Sequence, residues 1–232
     1  MKSHSTPNNL EVIYEDNHII AINKKAGDIV QGDKTGDTPL SDVVKQYIAK
    51  KYNKPGAVFL GVVHRLDRPT TGVVIFARTS KALSRLNKAF ADKETQKTYW
   101  AMVTPTPTKK EAALVHYLKR NTKQNKSYAH DKPVTESKKA LLSYSVIKQL
   151  QHFSLLEIDL MTGRHHQIRA QLAKIGCSIK GDLKYGAKRS NPNGGIHLHA
   201  RKLVLTHPVQ KVPLTIVAPV PNDDGLWRAV EV

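Results

Sequence analysis

An acidic side chain among arginines is the feature of this sequence that most clearly suggests chemistry. Asp67 lies in the segment HRLDRPTTG (64–72), with Arg65 and Arg68 close by and His64 at the start of the segment. Neighbouring cations favour the charged form of a carboxylate, and a charged carboxylate suits a nucleophile or a general base better than a general acid. The alternative is a turn aspartate that bonds its own backbone, beside arginines that meet solvent or another acid.

A second group of cations lies where a predicted strand leads into a predicted helix. The segment TGRHHQIRAQLAKIG (162–176) places Arg164, His165 and His166 at the helix N-terminus, and Arg169 follows one turn later. The N-terminal end of a helix carries unpaired N–H groups and binds anions readily. This segment therefore predicts an anion site, the alternative being an amphipathic helix with a solvated basic face.

Two further features suit nucleic-acid binding. Tyr99 alternates with apolar neighbours in KTYWAMV (97–103), where its ring could stack on a nucleobase; the alternative is a half-buried strand aromatic. Residues 109–139 carry nine Lys or Arg, among them Lys119 and Arg120, against three acidic residues. Such a segment can follow a phosphate backbone, the alternative being a solvated basic loop.

The histidines raise the question of a metal. His197 and His199 alternate on a predicted strand, and His165 is next to His166. Zinc sites need three or four ligands in a tight set, and the sequence has neither an HExxH pattern nor a cysteine pair. It also lacks a Walker A loop, a G-x-S-x-G and a G-x-G-x-x-G segment. We therefore expect neither a metal nor a nucleotide cofactor.

The charge of the whole chain indicates the kind of partner. The 232 residues include 37 Lys and Arg against 19 Asp and Glu, a formal net charge of +18. An excess of this size indicates a polyanion, most often nucleic acid, with an anionic membrane surface as the weaker alternative. The single cysteine, Cys177, excludes an internal disulfide framework, and the sequence contains no secretory signal and no apolar run of the roughly 20 residues that a membrane helix needs. We expect a cytoplasmic protein, monomeric and not bound to a membrane.

The elements that position these residues follow from hydrophobic periodicity. Apolar, β-branched runs at 57–63 and 72–78 flank the Asp67 segment and predict two buried strands. Helices are predicted after Thr38-Pro39, after Ser80 as the N-cap, and over about 165–175, where Gly176 ends the helix. The remaining predicted strands are two in 10–23, which form a hairpin, and one each at 97–103, 140–147, 153–161, 197–207 and 212–219.

Strands follow strands in this order more often than they follow helices, which argues against a doubly wound parallel sheet. The sequence therefore predicts an α+β fold, a single catalytic domain over 10–232 built on a large mixed, mostly antiparallel β-sheet, with a few helices and long loops. Residues 1–9 are polar and contain Pro7, and we expect them to form a flexible N-terminal tail.

In their order along the chain, five segments resemble motifs of the RluA-type RNA pseudouridine synthases. IAINKKAG (20–27) is similar to the family's N-K-P-x-G, HRLDRPTTG to H-R-L-D-x-x-T-S-G, and KTYWA (97–101) to K-x-Y-x-A. TGRHHQIR (162–169) is similar to T-G-R-x-H-Q-I-R, and GDLKYG (181–186) to G-D-x-x-Y-G. The resemblance spans about 11–219. Lys25 stands where the family usually has proline, and Thr71 where it usually has serine.

The resemblance implies an isomerase that acts on a uridine of ribosomal or transfer RNA. Such an enzyme flips the uridine out of its stack, breaks the glycosidic bond and rejoins the uracil to the ribose through carbon 5. Carried over to this chain, Asp67 is the catalytic nucleophile or base, Tyr99 packs on the target base, and Arg169 is the cation that pairs with Asp67. Arg65 fills or probes the space that the base leaves.

The same resemblance implies contacts with RNA and no cofactor. The residues expected to bind or position RNA, besides Arg65, are His64, Arg164, His165, Gln167, Lys119 and Arg120. Many relatives carry a small N-terminal RNA-binding domain, whereas here the catalytic domain begins within about ten residues of the start, so we expect its own basic surface to bind RNA. The alternatives are a catalytically inactive RNA-binding protein on the same fold and a metal-dependent nuclease.

Overall fold

A computed structural model describes residues 4–33, 35–222 and 224–230 of the chain. Within these residues the strands are β1 Val12–Glu15, β2 Ile19–Lys24, β3 Gly61–Val62, β4 Thr71–Ala77, β5 Gln96–Thr104, β6 Glu111–Asn121, β7 Lys126–His130, β8 Lys138–Gln149, β9 Ser154–Leu160, β10 Ser178–Ile179, β11 Leu198–Thr206 and β12 Pro213–Val217. The helices are α1 Leu40–Lys51, α2 Ser80–Ala91, α3 Gln167–Lys174 and α4 Gly225–Arg228, with a 3-10 turn at Leu183–Tyr185. The chain forms two compact units, one of residues 1–95 and 200–221 and the other of residues 96–199 and 222–232.

The core of the first unit follows from the alternation of side chains along its central strands. Every residue of β2 and β4 is buried, and successive side chains of a strand point to opposite faces. Ile20 and Ile22 of β2 therefore pack with α1, whereas Ile19 and Ala21 pack with α2. Both faces of these strands are covered by a helix, which explains why residues 19–22 of β2 and 73–77 of β4 are apolar without interruption.

The strands of the first unit are arranged with β2 between β1 and β4, followed by β11. The β1–β2, β2–β4, β3–β4 and β11–β12 pairs are antiparallel. The predicted hairpin in 10–23 is confirmed, and Asp16 closes it because its Oδ1 accepts hydrogen bonds from the backbone N–H groups of His18 (2.7 Å) and Ile19 (2.8 Å).

The second unit contains an antiparallel set of strands in the order β5-β9-β8-β6-β7, with β10 paired to β5. Helix α3 packs Ala170 against Leu118 of β6 and Ala140 of β8. The short helix α4 buries Trp227, whose ring lies 5.1 Å from that of His197 and nearly parallel to it.

The α+β class and the large mixed, mostly antiparallel sheet are confirmed, and so is the helix predicted after Thr38-Pro39, which is α1. The strand predicted at 57–63 is wrong in its first half: only Gly61 and Val62 pair with β4, and Phe59 is 48% exposed. Residues 109–139, considered as a solvated loop, instead contain β6 and β7. Helix α2 is capped by Thr79, whose side chain accepts from the Ala82 N–H, rather than by Ser80.

The predicted N-terminal tail is described from residue 4 onward, and residues 1–3 of it lie outside the described ranges. Ser5 is buried, and both its N–H (2.9 Å) and its hydroxyl (2.6 Å) donate to the carboxylate of Asp28. This part of the tail is therefore attached to the first unit. That residues 10–232 form a single domain stays a prediction. Among the described residues, no helix has the length and apolar character needed to cross a membrane.

Candidate active site

The loop that carries Asp67 connects β3 to β4 in the first unit. Asp67 is half-buried, and its carbonyl oxygen accepts a hydrogen bond from the Thr70 N–H (3.0 Å), which closes a tight turn. Gly72 follows at φ +108°, and a Cβ there would lie 2.3 Å from the carbonyl oxygen of Ala200. No other residue type fits this position without displacing the backbone. The backbone five residues after Asp67 is therefore packed closely against that of Ala200.

Lys24, at the end of β2, holds the same loop from the interior. It is 1% exposed, and its Nζ donates to the carbonyl oxygens of Lys25 (2.9 Å), Arg68 (3.0 Å) and Thr70 (2.8 Å). Three acceptors match the three donors of an ammonium group. Burial lowers the pKa of Lys24 to about 7, and the nearby carboxylates of Asp28 and Asp67 oppose this effect.

Lys24 therefore joins two separate sequence motifs. The N–H of Gly27 also donates to the carbonyl oxygen of Arg68 (2.9 Å), so the segments IAINKKAG and HRLDRPTTG are bound to each other through their backbones. Sequence reasoning did not assign Lys24 a role. The available signal was a lysine at the end of IIAINK, a strand that is otherwise apolar apart from Asn23.

The cations predicted around Asp67 have other contacts as well. Arg68 donates to Asp37 Oδ2 (2.5 Å) and to Thr35 Oγ1 (2.8 Å). The hydrogen bond from Arg68 is the main reason that the pKa of Asp37 is lowered. Arg65 is exposed and thus accessible to a polyanion.

His64 lies inside the first unit rather than on its open surface. Its Nε2 accepts a hydrogen bond from the Ile75 N–H (3.1 Å), and its ring stacks on Phe90 of α2 at 4.9 Å. These contacts fasten the start of the Asp67 loop to α2 and β4. The RNA contact expected of His64 stays a prediction.

Tyr99 and Arg169 belong to the second unit. Tyr99 lies opposite Ile158 in the β5–β9 pair and is 9% exposed. Arg169, on α3, is 5% exposed, and its guanidinium binds Asp182 with two hydrogen bonds, Nε to Oδ2 at 2.6 Å and Nη2 to Oδ1 at 2.8 Å. Sequence reasoning gave Asp182 no role, although it lies in the quoted motif GDLKYG. The expected pairing of Arg169 with Asp67 stays a prediction.

The turn before α3 is built around the side chain of Gln167. Gln167 Oε1 accepts from the Thr162 hydroxyl (2.8 Å) and the Arg164 N–H (3.0 Å), and its Nε2 donates to the Leu141 carbonyl (2.9 Å). Gln167 is 3% exposed, so the structure gives it a part in holding the turn. Arg164 is exposed, with its Nε donating to the Lys139 carbonyl (3.1 Å).

His165 and His166 connect this turn to the β6–β7 hairpin. His165 Nδ1 lies 2.9 Å from Ser127 Oγ, and its Nε2 lies 3.2 Å from Asn125 Oδ1. Burial, reinforced by the charge of Arg169, lowers the pKa of His166 to about 2, so His166 is neutral at physiological pH. The two rings stack with centroids 3.8 Å apart.

The hairpin itself carries the basic residues predicted to bind phosphate. Arg120 is exposed, and Lys119 is partly exposed, with its Nζ 3.6 Å from Glu136. Because both lie on a paired strand and not on a loop, their backbone positions are set by the neighbouring strand β7.

The outer face of the same unit carries the opposite charge. A cavity of about 460 Å³ lies over β6, β8 and β9, and its acidic lining residues are Glu111, Glu157 and Asp159. Trp100 Nε1 donates to Glu157 (3.1 Å), and the Thr98 hydroxyl donates to Asp159 (3.1 Å). The described residues include no group of three or more His, Cys, Asp or Glu side chains arranged to hold a metal ion.

Comparison with known proteins connects this geometry to one family. The family model for RNA pseudouridylate synthases matches residues 18–174. A protein of Chlorobaculum parvum described as an uncharacterized RNA pseudouridine synthase is 32% identical, over 92% of this chain and 72% of its own. A ribosomal large subunit pseudouridine synthase D of Xylella fastidiosa is 31% identical, over 92% of this chain and 67% of its own.

The fold has a counterpart among solved structures. Human RNA pseudouridylate synthase domain containing 4 superimposes with a TM-score of 0.75, covering 91% of this chain and 89% of the other, at 23% identity. At that level of identity the similarity concerns the fold alone.

Proposed function

Because this chain belongs to the RNA pseudouridylate synthase family, we propose that it converts a uridine of ribosomal or transfer RNA into pseudouridine, with Asp67 as the catalytic residue. The observation that carries the assignment to Asp67 is its loop, which is closed on itself at Thr70 and held by the buried side-chain nitrogen of Lys24. A carboxylate on so constrained a backbone can be presented to a substrate in one geometry.

The reaction rearranges the nucleotide without changing its composition. The target uridine leaves its stack, at a cost of a few kcal/mol. The bond between ribose C1′ and uracil N1 breaks, the uracil turns, and a bond between C1′ and C5 forms. The proton on C5 is then lost and N1 gains one. Asp67 serves this sequence either as a nucleophile that holds one fragment covalently or as a base that removes the proton.

Tyr99 and Arg169 are the other proposed catalytic residues. A largely buried tyrosine ring offers a flat apolar surface for the detached uracil. A guanidinium that is fixed by two hydrogen bonds can stabilise charge that develops in the reaction without having to reorganise. The exposed cations Arg65, Arg164 and Arg120, with the partly exposed Lys119, supply the proposed phosphate contacts.

We further propose that the protein acts in the cytoplasm, as a monomer and without a metal ion. The single cysteine, Cys177, is buried, and the sequence has no second cysteine with which it could form a disulfide. A protein without an internal disulfide suits a reducing compartment. Isomerisation within one nucleotide consumes no second substrate, so the chemistry requires no redox or nucleotide cofactor.

The experiment is pseudouridine mapping of total RNA incubated with the protein, with Asp67→Asn and with Asp42→Asn. Asp42 is a partly exposed carboxylate on α1 that pairs with Lys45 (3.2 Å) and serves as the matched control. We expect new pseudouridine with the wild-type protein and Asp42→Asn and none with Asp67→Asn, while RNA binding is retained in all three. Full activity of Asp67→Asn refutes the assignment of Asp67. No pseudouridine with any RNA favours the inactive binder, and cleavage that EDTA abolishes favours a nuclease.

A further inference from the structure

The motif GDLKYG has no role in the reaction proposed above, yet one of its residues binds a candidate catalytic residue. Its Asp182 is 1% exposed and binds the guanidinium of Arg169 through both carboxylate oxygens. We propose that Asp182 is a positioning residue of the active site, which fixes the plane of Arg169, and that Tyr185 extends this support to strand β7. The inference rests on the proposed function, in which Arg169 acts on the reacting groups.

The geometry fixes more than the position of one atom. A guanidinium is planar and rigid, and two parallel hydrogen bonds to one carboxylate determine both its place and its rotation. Both bonds of Arg169 are short, 2.6 Å and 2.8 Å. A single hydrogen bond would leave the plane free to turn about the N–H···O axis.

The turn around Asp182 is built to aim its carboxylate inward. The Asp182 carbonyl accepts from the N–H groups of Tyr185 and Ala187, both at 3.0 Å. Gly181 has φ +87°, and a Cβ there would lie 2.6 Å from the side chain of Asn191. Gly186, at φ +100°, ends the turn. The two glycines of the motif are thus required by the backbone that places Asp182.

Tyr185 supports Arg169 from a second side. Its ring centroid lies 5.0 Å from the guanidinium carbon, within the range of a cation–π contact. Its hydroxyl accepts from the Ser127 N–H (2.8 Å) and lies 3.0 Å from His166 Nδ1. One turn of the chain therefore links the candidate catalytic arginine to the hairpin that carries Lys119 and Arg120.

Stability alone is a weak explanation for this arrangement. Taking an arginine and an aspartate out of water is costly, and well-packed apolar residues of similar volume often stabilise a protein as much or more. Apolar residues at positions 169 and 182 could fill the same space, but they would not supply a cation in a fixed orientation. The arrangement therefore points to Arg169 being held in place for a task other than stability.

The test compares Asp182→Asn with a matched variant at a buried ion pair outside the site. Asn keeps the shape of Asp but presents an amide NH2 in place of one of the oxygens that accept from Arg169. The control is Glu15→Gln, since Glu15 pairs with Arg78 at 3.0 Å and both side chains are less than a tenth exposed (9% and 8%). The kcat and KM for an RNA that the wild-type protein modifies are measured at a temperature at which circular dichroism shows all variants folded.

We expect kcat of Asp182→Asn to fall about 100-fold, the size of effect that a misplacement of about 1 Å produces, with KM changed less than about threefold. Glu15→Gln lowers the melting temperature and leaves kcat within about twofold. Equal kcat values for the two variants overturn the proposal, since Asp182 would then be one buried ion-pair partner among others.

Two further arms separate the possible failures. If Asp182→Asn does not fold, Asp182→Glu is measured instead. It keeps the carboxylate but moves it by one methylene, so a reduced kcat supports the proposal and an unchanged kcat overturns it. If the wild-type protein forms no pseudouridine, or Asp67→Asn retains activity, the proposed function fails, whereas an active Asp182→Asn beside an inactive Asp67→Asn refutes only the positioning role.

Discussion

Replacing Lys24 with methionine should change how the stability of this protein depends on pH. Burial lowers the pKa of Lys24 from its ordinary value of 10.5 to about 7, while the unfolded chain keeps the ordinary value. Between these two pH values the unfolded state binds more protons than the folded state. The free energy of unfolding of the wild-type protein therefore rises with pH in this window. Below pH 7, Lys24 is charged in both states and no longer makes the free energy of unfolding depend on pH.

The size of the effect follows from the lowering of the pKa. A tenfold change in an acid dissociation constant corresponds to about 1.4 kcal/mol, so lowering the pKa from 10.5 to about 7 corresponds to about 5 kcal/mol. The slope reaches about 1.4 kcal/mol for each pH unit. Because Lys24 is 1% exposed, screening by water does not reduce this figure as it would at the surface.

The assay is urea unfolding of the wild-type protein, Lys24→Met and Lys25→Met at several pH values from 6.5 to 10. Lys25 is the matched control, since it is the adjacent residue and its Nζ donates to the Asn9 carbonyl (3.0 Å) in an exposed contact. The free energy of unfolding of the wild-type protein minus that of Lys24→Met should grow by several kcal/mol as the pH rises from 7. A difference that stays constant over this range refutes the reasoning: the three carbonyl oxygens would then solvate the ammonium well enough to keep it charged.

Two other perturbations test the site and its surroundings. Changing Lys119 and Arg120 together to glutamine should weaken RNA binding and lower its dependence on salt concentration, because each phosphate contact releases counterions; an unchanged slope in a filter-binding titration means that RNA does not follow the hairpin. Gly72→Ala should lower the free energy of unfolding by about 3 kcal/mol, from the positive φ and the clash with the backbone, whereas Gly56→Ala, with open space around it, should be close to neutral in the same urea titration.

The sequence predicted the parts of the fold in which periodicity and burial agree. Strand β4 reads TGVVIFA and is buried along its whole length, so its apolar composition was enough to predict a buried strand. The β6–β7 hairpin escaped prediction because residues from Lys119 to Lys126 are mostly polar and charged on both sides of the turn. Residues of β6 form a strand because they pair with β8. The local sequence of either segment does not show which distant segment it will pair with.

The motifs of the candidate site could be predicted from the sequence, but the contacts between residues of different motifs could not. The segment around Asp67 is recognisable by residue type and spacing, yet the lysine that holds it lies 43 residues earlier, at the end of another strand. Likewise, Arg169 and Asp182 are separated by a helix end and a tight turn. Ion pairs of this kind are specified by the fold, since nothing in either segment alone determines which charge it will meet.

Strand β6 has an acid at its first residue and cations near its last. Glu111 borders the acidic cavity, and Lys119 lies eight residues further along the strand, a separation of roughly 27 Å at the rise of an extended chain. This strand therefore behaves as an electric dipole in the field of a polyanion. An RNA that binds the hairpin as proposed would exert a torque on this strand before contact, within the distance that the ionic atmosphere permits. The charges proposed to attract the nucleic acid would then also favour one angle at which the two molecules first meet.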